Sequence, residues 1–248
     1  MTLKSPIKCW ICGDDATSGE HKTKKSDLKA LFGVPTRNNP LYYHDDRAKN
    51  KPIGSLDSKI LKSPIRICAP CNNARTQPHD HAWKEMSGWL RQCQPPVKPG
   101  RVVRGNRIWP YDTKRQMVNV HLYFLKLFGC MIVEGQVPIN IKVFANAILR
   151  GRAHPCVYLE WGCGMLFDGR GVVVRTNMEG LQSPDGQCVF ANWLYRLDSF
   201  SVHVIYAADS TEWDRDRLSR TWHPKFGTNK LVIANFDELV EQAGIDPQ

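Results

Sequence analysis

The chain has 248 residues, enough for one large or two modest domains, and its 42% apolar content can furnish a core. A mean hydropathy of −0.40 and 16 prolines describe a loop-rich protein, and the first ten residues hold no apolar run of the signal-peptide kind. The most apolar stretch, Leu122–Val133, is interrupted by Lys126 and Gly129 and is short for a bilayer crossing, so no membrane partner is expected.

Charge divides the chain. Residues 1–106 carry 19 Lys and Arg against 9 Asp and Glu, whereas 107–248 carry 15 of each. The entire excess therefore lies in the N-terminal part, and a positive field of that size attracts a polyanion, nucleic acid first among them.

That same part holds two C-x₂-C hooks, Cys9-Trp-Ile-Cys12 and Cys68-Ala-Pro-Cys71, separated by 55 residues. Two thiolates at that spacing reach one ion at about 2.3 Å, and two hooks complete a tetrahedral Cys₄ shell for structural zinc. Nine cysteines, an odd number with four in metal-type hooks, favour a reducing cytoplasmic setting over a disulfide framework. Cys93, Cys130, Cys156, Cys163 and Cys188 have no ligand spacing and are expected to be buried thiols.

After the first hook comes Gly19-Glu20-His21, then Lys22, Lys24 and Lys25, which are expected on the surface. Ser26 as N-cap, Asp27 in the first turn, an apolar face of Leu28, Leu31 and Phe32, and Gly33 as the stop predict a helix over 26–32. The lysines would then lie just before its positive end, where a phosphate is favoured. Residues 34–60, with Pro35, Pro40, Pro52 and Gly54, read as irregular, and 65–67 as a strand entering the second hook. Asn72 to Gln77 begins a helix that is interrupted or restarted at Pro78. Ala82, Trp83, Met86, Leu90 and Cys93 continue at helical intervals as a packing stripe. His79, Asp80 and His81 read as capping residues and solvated imidazoles. The Pro/Gly-rich run from Gln94 to Gly100, followed by Arg101 and Arg104, is the linker candidate, placed at 94–106.

The second part, 107–248, has a different texture. Helices are expected over 116–128 and after Asn140, followed by strands at 157–161, 172–176, 189–197, 201–207 and 231–235, with Asp198-Ser199 as a hairpin turn. His154-Pro155 and His223-Pro224 read as turn histidines. Helices followed by a run of strands give an α+β class, with mainly antiparallel strands after the N-terminal module. No phosphate-loop or dinucleotide fingerprint is present.

Over residues 8–92 the order C-x₂-C, Glu-His, C-x₂-C-Asn resembles the HNH endonuclease family and its zinc-stapled ββα-metal motif. The resemblance implies a metal-dependent endonuclease acting on nucleic acid, DNA by family habit. Carried onto this sequence, it makes His21 the general base and Glu20 and Asn72 the ligands of a catalytic Mg²⁺ or Mn²⁺. Cys9, Cys12, Cys68 and Cys71 become the zinc ligands, with Lys22, Lys24, Lys25 and Arg75 against the phosphate backbone. The family's middle asparagine has no counterpart in 58–67, so Asn50 or a backbone carbonyl is expected to steady the base. Glu20 and His21 are neighbours, and they can serve one phosphate only if the strand carrying them is bent. The rival expectations are a non-catalytic zinc-dependent nucleic-acid-binding module and a protein-interaction adaptor. In every case 107–248 is the segment expected to select a target, a protein partner or a second copy.

Overall fold

The computed structural model describes residues 7–45, 48–164, 171–209, 220–225 and 229–236. The fold is mixed α+β with mostly antiparallel sheets, and a Cys₄ cluster lies near its N-terminal end. Strand β1 (Ser18–His21) pairs antiparallel with β4 (Lys62–Ile67). Between them the chain forms helix α1 (Lys25–Phe32) and a small hairpin of β2 (Leu41–Tyr43) and β3 (Lys51–Ile53). The segment expected to be irregular thus holds a hairpin. A π-helical turn at Cys71–Arg75 then leads into α2 (Gln77–Gln92), with Pro78 in the first turn, where its missing N–H costs nothing.

Helix α1 starts one residue earlier than predicted, and Ser26 caps nothing; its hydroxyl is buried without a partner. Asp27 lies in the first turn, as expected, and is fully buried. It accepts hydrogen bonds from Trp83 Nε1 at 2.7 Å, Ser87 Oγ at 2.9 Å and Arg91 Nη1 at 3.0 Å. These three donors recur every fourth residue on α2, so one carboxylate clamps α1 along two turns of its neighbour.

The remaining chain forms β5 (Val102–Arg104), α3 (Thr113–Glu134), α4 (Ile141–Arg150) and β6 (Val157–Cys163). Then follow β7 (Val173–Arg175), β8 (Glu179–Gln182), β9 (Cys188–Leu197), β10 (Phe200–Ala207), β11 (Thr221–Trp222) and β12 (Lys230–Asn235). They build an eight-stranded sheet in the order β5-β12-β6-β10-β9-β7, with β11 on β6 and β8 on β9. Only β12 and β6 run parallel. Strand β5 arises from the end of the expected linker: Arg104 pairs with Lys230, and the Gly100 amide donates to the Ile233 carbonyl at 2.8 Å. Asn140 Oδ1 accepts from the Lys142 amide at 3.2 Å and so caps α4 as predicted, and Asp198 takes φ of +55° in the β9–β10 turn.

One buried core runs from Cys9 to Ile233. Its hub is Trp83 of α2, stacked on Tyr123 at 5.4 Å and edge-on to Phe124 at 4.8 Å and Tyr195 at 5.9 Å. Helix α3 is longer than predicted. By length and composition it could cross a membrane, yet it lies largely buried inside the protein, with Lys126 near the middle of its apolar run. Gly129 lies one turn beyond Lys126, and there the ring of Trp10, from the first hook, rests on the helix backbone.

A Cβ at Gly129 would fall 2.4 Å from Trp10. Gly129→Val is therefore expected to lower unfolding stability by about 1–3 kcal/mol through overpacking. At Gly88 of α2 an added Cβ meets nothing, and Gly88→Ala should be neutral or stabilising by up to about 1 kcal/mol. Urea denaturation midpoints of the two variants check this contrast.

Candidate zinc centre and the Glu20–His21 crevice

The two hooks converge. The sulfurs of Cys9, Cys12, Cys68 and Cys71 all lie within 4.8 Å of one another, and Cys12 and Cys68 stand 3.4 Å apart. A tetrahedron of thiolates at zinc-to-sulfur distances of about 2.3 Å has edges of about 3.8 Å, so the donor set fits zinc in both chemistry and spacing. Arg75 Nη1 donates to Cys71 Sγ at 2.8 Å, and the Cys71 amide points at Cys68 Sγ at 3.4 Å. Both offset the negative charge that four thiolates bring. Without a cation, burial pushes the Cys12 thiol up to about 11. A metal able to displace the thiol protons would remove that penalty.

The hooks hold β4 and the start of α2 beside β1. Asn72, directly after the second hook, turns its amide nitrogen to Ser18 Oγ at 2.7 Å and to the Gly19 carbonyl at 3.3 Å. The β1–β4 register breaks between Gly19 (opposite Arg66) and His21 (opposite Lys62). This irregularity is the bend that neighbouring Glu20 and His21 were expected to need. It lets both line one crevice, together with Lys22, Ser63, Glu134 and Arg175.

His21 is half-buried. Its Nε2 lies 3.2 Å from the Leu56 carbonyl, which can only accept, so Nε2 carries the proton and Nδ1 the lone pair. The backbone carbonyl, rather than Asn50, occupies the steadying position. Burial, with Lys62 adding to it, holds the imidazole below the ordinary histidine value of 6.5 despite that hydrogen bond. The ring is neutral at physiological pH.

Glu20 is 8% exposed, and its Oε1 lies 3.1 Å from the ammonium of Lys126, which is wholly buried. Lys126 also meets Asp80 Oδ2 at 3.2 Å and Thr76 Oγ1 at 3.3 Å. Thr76 in turn donates to the carbonyl of the zinc-hook residue Cys71 at 2.9 Å. Burial, with Asp80 close by, raises the Glu20 pKa against the pull of Lys126. The two carboxylates outweigh burial at Lys126 and keep it an ammonium, with its pKa raised. A Mg²⁺ ion needs oxygen ligands and room for several waters. Here Glu20 is already paired, Asn72 faces β1 with its nitrogen, and among the described residues the four cysteines form the only cluster of His, Cys, Asp and Glu groups with ligand spacing. The donors expected for a divalent catalytic ion do not fit one in this arrangement.

The expected phosphate contacts are unequal. Lys22 borders the crevice. Lys24 points inward, 3.5 Å from Asp80 and over the ring of Tyr123, while Lys25 pairs with Asp57 at 2.6 Å. Arg75 is occupied at the thiolate cluster. His79, predicted to be solvated, is buried, and its pKa is pushed down to about 4 by burial. His154 and His223 each accept the amide two residues on, from Cys156 and Lys225 at 3.1 Å, as turn residues do. Lys126 and Arg175 were not foreseen. The only sequence signal for Lys126 was a lysine in the middle of an apolar helix, a position tolerated only with a buried partner; Arg175 gave none. No family model, no curated protein and no solved structure matches this chain.

Zinc analysis is expected to find one equivalent per chain in the wild type and none in Cys68→Ser. Lys126→Met leaves Glu20 and Asp80 without their buried counter-ion and should cost about 3–5 kcal/mol. The folded pKa of Glu20 is raised, so its protonation favours the folded state. The deficit of Lys126→Met should therefore shrink in melts taken from about pH 8 down to about pH 5.

Proposed function

We propose that the protein hydrolyses phosphodiester bonds in nucleic acid, with DNA favoured by the resemblance to HNH endonucleases. Zinc at the four cysteines is the structural staple, and His21 is the general base. The observation that carries this reading is His21 itself: a neutral imidazole, fixed by the Leu56 carbonyl at Nε2, in a crevice beside the zinc-stapled strand pair. Its Nδ1 lone pair takes a proton from water. The water oxygen bonds to phosphorus, the bond to the departing 3′ oxygen breaks, and that oxygen is protonated from solvent.

The basic N-terminal part draws the polyanion in, and Lys22 stands beside the base. Because Glu20 is tied to Lys126, the carboxylate expected to hold a Mg²⁺ or Mn²⁺ ion is already paired, and in this reading charge on the phosphate falls to cationic side chains. The same pairing favours the second reading, a zinc-dependent module that binds nucleic acid without cutting it. An odd number of cysteines, four of them in the metal-type hooks, suits a reducing compartment such as the cytoplasm.

Plasmid nicking by zinc-loaded protein, with Mg²⁺, with Mn²⁺ and with neither, tests the proposal. Cleavage is expected from the wild type, with a loss of about 10²–10⁴-fold in His21→Ala at unchanged zinc content. Salt-dependent binding without cleavage in all three buffers would establish the second reading instead. The sign of the pH effect follows from the lowered pKa of His21: the base is active when deprotonated, so the rate should rise with pH, with its midpoint below 6.5, and then level off.

A further inference from the structure

Strand β7 carries a charge with no carboxylate partner among the described residues. Arg175 is half-buried where β7 pairs with β9, opposite Tyr195. Its Nε is sealed from solvent without a hydrogen-bond partner, and among the described residues no carboxylate lies within 4.0 Å of the guanidinium. Its contact is the ring of Trp193, 5.2 Å from Cζ. Taking a guanidinium out of water is costly when nothing pairs with it, and a cation–π contact offsets only part of that cost. Burial accordingly pulls the arginine below its ordinary pKa, although Tyr195 and Glu134 oppose the shift.

This same arginine borders the crevice of Glu20, His21, Lys22, Ser63 and Glu134. Of the acids there, Glu20 is neutralised by Lys126, and Glu134 is an exposed rim residue that accepts from Ser63 Oγ at 3.4 Å. Arg175, Lys22 and the imidazole thus border one crevice, which has room for about one water molecule, so an anion would be met at its mouth. Planar, bidentate donation suits the non-bridging oxygens of a phosphodiester better than a point charge does.

We infer that Arg175, supplied by the C-terminal part of the chain, binds the phosphate that the His21 crevice presents to water, and that it takes the charge-stabilising place expected of a divalent ion. The inference rests on the phosphodiesterase reading above and names the group that grips its substrate. It also gives 107–248 a direct share in the site.

The test uses the full zinc-loaded chain and two probes at constant ionic strength: inorganic phosphate by ³¹P line-broadening titration, and a fluorescein-labelled DNA duplex by anisotropy without added divalent metal. Arg175→Met keeps the side-chain length and removes the charge; Arg175→Lys keeps the charge and removes the planar fork. Phosphate binding should weaken about tenfold or more in Arg175→Met and less in Arg175→Lys. Thermal stability of Arg175→Met should hold or rise, because an unpaired buried charge is gone. Equal phosphate affinity in the wild type and Arg175→Met, or a lower melting temperature of Arg175→Met with phosphate binding intact, overturns the inference. Arg175-dependent phosphate binding without nicking leaves the inference standing and defeats the hydrolase reading. Nicking that is indifferent to Arg175→Met does the reverse.

Discussion

The rest of the structure depends on the ammonium of Lys126. It is wholly buried at the middle of α3 and touches Glu20 from β1 and Asp80 and Thr76 at the start of α2. A buried charge is tolerable only when paired and fully hydrogen-bonded, so Lys126 binds three elements to one another by the cost of separating them. Thr76 links that network to the second cysteine hook, and Trp10 of the first hook rests on Gly129, one turn further along the same helix. The four-cysteine cluster and the long apolar helix thus form one support under β1.

That support decides what the crevice can do. A carboxylate held by a fixed ammonium is a poor ligand for a hydrated divalent ion, whereas a histidine held by a backbone carbonyl is a ready base. In the proposed reaction, electrostatic work on a phosphate would pass to side chains, and the basic N-terminal part would draw a polyanion to them by its field. Arg175 borders the same crevice as that histidine, with no carboxylate in salt-bridge reach among the described residues. An acidic cage around a metal and a guanidinium against a phosphate solve the same problem, and the proposed site uses the second solution.

The four-cysteine cluster, the histidine turns, the Asn140 cap and the α+β class were legible because each is a local signal. Spacing places two sulfurs on one ion, an asparagine satisfies its own helix start, and alternation of apolar residues marks a strand. His79 misled, and the burial of Asp27 went unseen, for the opposite reason. An acidic residue in a first turn and an imidazole near a helix start are solvated by default, and only the partners that approach from elsewhere bury them. Trp83, Ser87 and Arg91 do so for Asp27.

The sequence by itself determined that two cysteine hooks flank a Glu-His pair in a basic segment, and that helices and then strands follow. Tertiary structure alone decided that Lys126, from the far side of the expected linker, would take Glu20, and that Arg175 would reach the crevice of His21. Charge pairing over such separations depends on which faces pack together, and that choice is made by the core around Trp83 as a whole, where no local pattern encodes it.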